Sequence, residues 1–388
     1  MPGKKIKNVL EESMAEGFIP VCEPFLDGNE KKYLLEAIET GWISSAGKYI
    51  SLFEESFAKY CGVKHGIAVC NGTVALHLSL VTLGINEGDE VIIPNFTMIA
   101  SAFAVCYTGA TPVFVDAEKE TWNIDSSKIE EKITKRTKAI MPVHIYGHPC
   151  DMTPILNIAK KYHLKVIEDA AEVHGATYKG QKCGSIGDIA AFSFFSNKIA
   201  TTGEGGMVVT NDDALAEKCR YFKNLCFPLT GQRTYTHDDI GFNYRMSNLH
   251  AAVGFAQVER IEEYVDIRRK HNAIYKEVLG DISGITFQPE KTWAKNVYWM
   301  NGIVVEKNKF GMSRDELMKK LREKGIDSRL FFSGMHRQGG LQKFGCDCRG
   351  EYPVTDWLAE NGLYLPSGSG LKEEQIEFIC KTIRSLKA

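Results

Sequence analysis

The chain has 388 residues, 44% of them apolar, enough for a large domain with a substantial core and a smaller one beside it. Lys and Arg number 47 against 49 Asp and Glu, a net charge of −2, and with no long basic run the chain lacks the footprint of a nucleic-acid binder. No apolar run approaches membrane-spanning length, and the opening MPGKKIKNVLEESMAEG lacks the apolar core of a secretory signal, so a cytoplasmic protein is expected.

Residues 1–35 show no clear pattern and are expected to pack with a small domain or with a partner subunit. KKYLLEAIET then reads as a helix, and GWISS as a polar turn. From about residue 63 strand-like and helix-like segments alternate. GIAVC is a short apolar run, followed by NGT and the helical pattern VALHLSLVTLG. EVIIP reads as a strand, TMIASAFAVCYTG as a helix and TPVFVD as a strand. Ser126 or Ser127 is placed to cap a helix over KIEEKIT. AIMPVHIYG is another strand, PILNIAKKYH a helix and KVIEDA a strand. The strands are apolar nearly throughout, the pattern of a sheet covered on both faces. Repeated βα units predict a mostly parallel sheet with right-handed crossovers and sites at the carboxyl ends of its strands.

Farther on, AFSFF and MVVT flank a glycine-rich turn that carries a single lysine, Lys198. The run from MSNLHAAVGF to YKEVLG reads as one or two long helices that lead out of the large domain near residue 265. Residues 266–388 are expected to form a smaller α/β domain with a strand in VYWMNGIVV and a helix opening on a capping box at Ser313, in SRDE. The expected organisation is an N-terminal segment, 1–35, a large domain, 36–265, and a small domain, 266–388. Eleven cysteines are scattered without paired CxxC spacing. That favours reduced thiols acting as small core hydrophobes, and no metal site is expected.

The glycine-rich TTGEGG is neither a nucleotide P-loop nor a dinucleotide fingerprint. By themselves Gly203, Gly205 and Gly206 make a tight connection into a strand. NGT at 71–73 lies between a strand and a helix, where backbone N–H groups can cradle a phosphate and Gly72 lets it approach; taken alone, an ordinary turn capped by Thr73 is the favoured reading. Asp169 ends an apolar strand, where it either caps a helix or pairs with a protonated ring nitrogen. Lys198 sits among aromatic and small residues, which favours its neutral, nucleophilic amine over the usual snorkelling surface lysine. A phosphate, a basic ring nitrogen and an aldehyde together describe pyridoxal 5′-phosphate.

The stretches GWISSAGKYI, NGTVALHL, KAIMPVHIYGHPCDM, VIEDAAE, FSFFSNK, TTGEGGMVVTND and GFNYRMSN resemble the DegT/DnrJ/EryC1/StrS sugar-nucleotide aminotransferases, and within them the perosamine-forming branch. The resemblance runs from about Pro20 almost to the C-terminus. It implies the fold-type I architecture of pyridoxal-phosphate aminotransferases, a large mixed, mostly parallel sheet domain with a smaller C-terminal α/β domain, and a homodimer with shared sites. It implies that Lys198 forms the Schiff base with the cofactor, that Asp169 holds the ring-nitrogen proton, and that Glu172 lies beside the ring hydroxyl. Gly72, Thr73 and Ser193 would bind the phosphate, and Asn243 would reach it from the other subunit; alone, Asn243 reads as a turn residue.

Two positions depart from the family pattern. Met98 stands where an aromatic residue usually stacks on the ring, with Phe96 as the alternative, and Ser196 stands where the branch carries glycine. Trp42, Ser44, Ser45, Arg329 and His336 fall in regions that the resemblance assigns to the substrate, although alone Trp42 reads as a packing anchor and Arg329 as a surface residue; His144, after a strand, is a further substrate candidate that alone reads as structural. FFSGMHRQGG differs from the branch wording there. The implied reaction transfers an amino group from L-glutamate to a phosphate-bearing keto acceptor. GDP-4-keto-6-deoxy-D-mannose, or another nucleotide-linked keto sugar for polysaccharide biosynthesis, comes first, and a small phosphorylated ketone second. Lysine rather than histidine at 198 argues against the dehydratases of the family. A nonenzymatic pyridoxal-phosphate-binding regulator is the rival from another class.

Overall fold

The computed structural model describes residues 17–232 and 234–387. Helices α1 (Glu30–Glu39) and α2 (Lys48–Cys61) come first, then β1 (His65–Val69), α3 (Gly72–Thr82), β2 (Glu90–Pro94), α4 (Ile99–Tyr107) and β3 (Thr111–Val115). After β4 (Thr137–Ile140) come α5 (Met152–Tyr162), β5 (Lys165–Asp169), the short β6 (Thr177–Tyr178) and β7 (Gln181–Lys182), β8 (Ile189–Ser193) and β9 (Gly206–Thr210). These strands are apolar and buried because helices cover both faces of the sheet they build. That sheet has seven strands in the order β1-β9-β8-β5-β4-β2-β3. β9 alone runs against the rest, pairing antiparallel with β1 and β8. The others pair in parallel from β8 through β5, β4 and β2 to β3. The sheet is therefore mixed and mostly parallel.

Helices α6 (Asp213–Lys223), α7 (Asn248–Glu259) and α8 (Ile261–Leu279) follow. The long helical run is thus two helices, broken at Arg260. Beyond α8 lie β10 (Ile285–Phe287), β11 (Ala294–Lys295), β12 (Asn301–Val305), α9 (Arg314–Glu323), β13 (Arg329–Leu330), α10 (Pro353–Asn361), β14 (Gly362–Leu365) and α11 (Glu373–Leu386). A second, antiparallel sheet has the order β10-β12-β14-β13, and a third, small one joins β11 to β6 and β7. The capping box at Ser313 is present at the start of α9. KIEEKIT forms no α-helix: two 3₁₀ turns replace it, and Asp125, rather than a serine, accepts the first N–H.

The expected divisions at 35/36 and 265/266 fall inside α1 and α8. Of the N-terminal segment, residues 1–16 lie outside the described residues. Ile19 trades backbone hydrogen bonds with Gly325 and Asp327, and the Val21 carbonyl accepts from Ser367 N–H. Phe53, Phe57, Phe192 and Phe194 pack edge to face under the main sheet, with centroids 4.9–5.0 Å apart across three of their pairs. Among the described residues no helix is long and apolar enough to cross a membrane.

Candidate active site

The carboxyl ends of β1, β2, β5 and β8 open onto one cavity of about 640 Å³. Period-two alternation decides which side chains reach it. On β8, Ala190 and Phe192 turn to the phenylalanine cluster, while Ile189 and Ala191 turn to the core under α3. Ser193 continues that second set and lines the cavity. On β5, Ile167 faces the α3 side and Asp169 follows it, so Asp169 lines the cavity and Glu168 does not.

Asp169 is buried, and its Oδ2 accepts a 2.7 Å hydrogen bond from the Ser101 hydroxyl of α4. The Thr97 hydroxyl lies 3.0 Å from that of Ser101, and Ala171 N–H donates to Asp169 Oδ1 at 3.2 Å. Burial pushes the Asp169 carboxyl above its ordinary range; the Ser101 hydrogen bond pulls it back. No arginine or lysine forms an ion pair with this carboxylate among the described residues, so it is suited to a cationic ligand group.

Lys198 occupies the connection between β8 and β9. Its N–H donates to the Phe195 carbonyl at 2.9 Å, which turns the chain back on itself. The side chain is only 10% exposed, and Nζ lies 4.0 Å from Glu172 Oε1 and 3.7 Å from the centroid of the Trp299 ring. Burial lowers the amine's pKa, against the pull of Glu172 and Asp169. Burial also drives Glu172 up to about 7, although Lys198 and a 2.7 Å hydrogen bond from Tyr146 N–H oppose it. Each group is pushed toward its neutral form, so the pair holds a proton that either can give up.

The third corner is the start of α3. Asn71, not Thr73, caps the helix, accepting from Val74 N–H at 3.0 Å. The N–H groups of Gly72 and Thr73 belong to the first turn, which has no intrahelical acceptors for them. A Cβ on Gly72 would stand 2.7 Å from the Ser193 Cβ, and one on Gly206 would stand 2.3 Å from the Asn71 carbonyl oxygen. Only backbone fits between α3, β8 and β9. A helix N-terminus packed this closely is a phosphate cradle. Phosphate cradle, unpaired buried carboxylate and desolvated lysine line one cavity, and together they fit pyridoxal 5′-phosphate.

Met98 lines the cavity at the start of α4 and is 47% exposed, whereas Phe96 is buried among Tyr146, Phe331 and Phe332. The thioether therefore stands where a ring would lie. The opposite wall is aromatic and comes from the C-terminal part of the chain: Trp299, Phe332 and Tyr364. These residues, with Thr97 and Ser101, were not singled out from the sequence. Hydroxyls at 97 and 101, one helical step apart in an apolar stretch, were the available signal.

The residues expected to bind substrate fare differently. His144 is fully buried: its Nε2 lies 3.1 Å from Glu168 Oε2, and its Nδ1 accepts from Cys150 N–H. It is a structural histidine, on the far side of the strand end from the cavity. His144, Glu168 and Cys183 lie close enough to ligate a metal, but Glu168 already accepts from Gly184, Ile186 and Gly187 N–H groups, which satisfies it without one. His336 is also withdrawn from the cavity, held by Asn95 at 2.8 Å and by Asp356 at 3.3 Å. Arg329 is exposed and turned to Asp327. Trp42, Ser44 and Ser45 are exposed on a loop fixed by Asn248, which donates to the Trp42 carbonyl from Nδ2 and to the Ser44 carbonyl from its N–H, both at 2.6 Å. Asn243 is exposed and accepts from Arg245. None of these lines the cavity of its own chain.

Residues 24–384 match the model of the DegT/DnrJ/EryC1/StrS aminotransferase family. GDP-perosamine synthase of Caulobacter vibrioides is 48% identical over 360 residues, 92% of this chain and 95% of that protein. GDP-perosamine synthase of Escherichia coli O157:H7 is 46% identical over 367 residues, 94% of this chain and 98% of that one. Among solved structures, DesV of S. venezuelae, determined in complex with a ketimine intermediate, is 32% identical with a TM-score of 0.85, covering 98% of this chain and 96% of that chain. With near-full-length matches of this kind around a buried lysine and its two carboxylates, the chain belongs to the DegT/DnrJ/EryC1/StrS aminotransferase family and is a pyridoxal-phosphate-dependent aminotransferase.

Proposed function

We propose that the enzyme transfers an amino group from L-glutamate to GDP-4-keto-6-deoxy-D-mannose, giving GDP-perosamine, and that it works as a cytoplasmic homodimer. The observation that carries this reading is the 46–48% identity to GDP-perosamine synthases over more than nine tenths of the chain. When bound, the cofactor supplies an electron-accepting ring and a carbon that carries the amino group from donor to acceptor. The protein supplies the rest. Lys198 Nζ would move a proton from the donor carbon to the cofactor carbon in the first half-reaction and from the cofactor carbon to the acceptor carbon in the second, a role that needs a neutral amine in a desolvated place. Glu172, 4.0 Å away, buffers that proton. Asp169, held by Ser101, keeps a proton on the ring nitrogen. The backbone at Gly72 and Thr73, with Ser193, holds the phosphate.

On this reading the exposed loop of Trp42, Ser44 and Ser45, and exposed Asn243, serve the cavity of a second copy. Two variants test this. Lys198→Ala and Asn243→Ala protomers, each impaired alone, should recover activity when mixed, up to about a quarter of wild type if subunits exchange at random. No recovery beyond the sum of the two would exclude a shared site. For the reaction, glutamate alone should convert the cofactor to its aminated form, seen as an absorbance shift, and a nonenzymatic regulator should show none. A panel of GDP-, UDP- and dTDP-linked keto sugars and small ketone phosphates, read by mass spectrometry, then decides the acceptor. Amination of a ketone phosphate in preference to the GDP sugar would overturn the assignment.

A further inference from the structure

Arg268 of α8 is 2% exposed, and its hydrogen-bond partners among the described residues are uncharged. Its Nη1 donates to the Trp299 carbonyl at 2.7 Å, its Nε to Ser369 Oγ at 3.1 Å, and its Nη2 to Cys22 Sγ at 3.7 Å. A buried guanidinium without a counter-ion is costly, and a neutral side chain could fill the same space. Two of its three partners lead to the same place. Trp299 Nε1 donates to the Asn197 carbonyl at 2.8 Å, and Cys22 Sγ donates to that carbonyl at 3.5 Å. Asn197 is bonded to Lys198, whose Nζ lies 3.7 Å from the centroid of the Trp299 ring.

We propose that Arg268 is a positioning residue for the reaction: through Trp299 and Cys22 it fixes the turn that carries Lys198. The inference rests on the reading of Lys198 as the cofactor lysine. The groups that face the amine are the Glu172 and Asp169 carboxylates, the Cys22 thiol and the Arg268 guanidinium. The carboxylates and the thiol favour the ammonium form. Burial and Arg268 oppose them, so the arginine offsets the carboxylates that the cofactor chemistry needs nearby. Its cost in the fold is thereby tied to the proton transfer.

The direct test uses apoprotein. Acetic anhydride labelling across pH, read by mass spectrometry on the Lys198 peptide, gives the midpoint at which this amine becomes reactive. Arg268→Met should raise that midpoint by about one pH unit, the direction expected on removing a nearby positive charge. Arg268→Lys should keep the midpoint but lower kcat roughly tenfold with little change in the glutamate KM, because a single ammonium cannot hold both Trp299 and Cys22. Trp299→Phe keeps the ring and removes only the N–H to Asn197; it too should lower kcat without moving the midpoint. If Arg268→Met does not fold, Arg268→Gln provides the same charge removal. A midpoint unmoved on removing the charge, or an unchanged kcat in both Arg268→Lys and Trp299→Phe, overturns the proposal. Borohydride reduction of holoenzyme with peptide mapping separates the two levels: a label away from Lys198 refutes the cofactor reading, while the labelling midpoint still reports whether Arg268 controls this amine.

Discussion

The floor of the cavity and its surroundings follow opposite rules. On the floor, Gly72, Asp169 and the pair Ser193 and Lys198 come from three separate stretches, yet all lie at strand ends, a helix start or a strand connection that the main sheet fixes. Around it, Trp42, Ser44, Ser45, Asn243 and Arg329 lie on exposed loops or a short edge strand, and within one chain they do not meet. The difference teaches where each part of the chemistry resides. On the proposed reading the cofactor is held by the scaffold itself, whereas recognition of a particular acceptor depends on surfaces that the scaffold leaves free.

The strongest test of the floor is Lys198→Ala. Without the amine no group in the cavity replaces its proton transfer, and kcat should fall by about 10⁴-fold or more. Borohydride should leave no label on residue 198. Activity within tenfold of wild type would break the comparison at its centre. Asp169→Asn comes next. The amide keeps the shape and can still meet Ser101, but it cannot keep the ring nitrogen protonated. Turnover should drop on the order of a hundredfold while cofactor affinity, measured by equilibrium dialysis, changes by about tenfold or less. An unchanged rate would remove Asp169 from its assigned place.

Glu172 gives the floor a pH signature of its own. In folded apoprotein burial raises its pKa to about 7 from an ordinary 4.5. The folded state therefore binds this proton more tightly than the unfolded chain does. The stability it contributes is full below the unfolded value and is lost as pH rises through the folded one, a change of about 3 kcal/mol. Urea denaturation of the apoprotein should show that decline between pH 5 and 7, and Glu172→Gln should flatten it. A slope that persists in the variant would assign the titration elsewhere. Gly72→Ala is smaller. The added methyl meets Ser193 at 2.7 Å, so α3 must retreat from β8, at a cost of about 1–3 kcal/mol in stability. Cofactor affinity should weaken roughly tenfold, and calorimetry with dialysis measures both.

How much of this was legible in the sequence follows the same division. Asp169, at the end of an apolar strand, leaves a helix cap and a ring-nitrogen partner both open, and only its burial in the cavity beside Ser101 separates them. Lys198 stands out in the sequence because aromatic and small residues flank it, and the structure buries it in the cavity. His144 misled for a related reason. It too follows a strand, but its ring turns to Glu168 on the opposite face of the sheet, a register of one residue that composition does not reveal. Trp299 was hidden inside a run that reads as core strand, and its approach to Lys198 from a sequence distance of about a hundred residues depends on how the second sheet packs against the first. Asn248, which ties down the Trp42 loop, reads only as a helix residue.

The smallest expected effect sharpens the comparison most, because it must appear in one half-reaction and be absent from the other. Trp42 is 59% exposed and lines no part of its own chain's cavity. If the loop serves the acceptor alone, Trp42→Ala should leave the glutamate half-reaction unchanged and raise the acceptor KM about three- to tenfold, the range for one lost apolar contact. Stability should move by less than about 0.5 kcal/mol, as for other exposed positions. Equal losses in both half-reactions would mean that the loop supports the floor instead, and the two regions would then be one. Loss of stability without a change in KM would make Trp42 a packing anchor of the turn, and acceptor recognition would have to be sought on the aromatic wall of Phe332 and Tyr364.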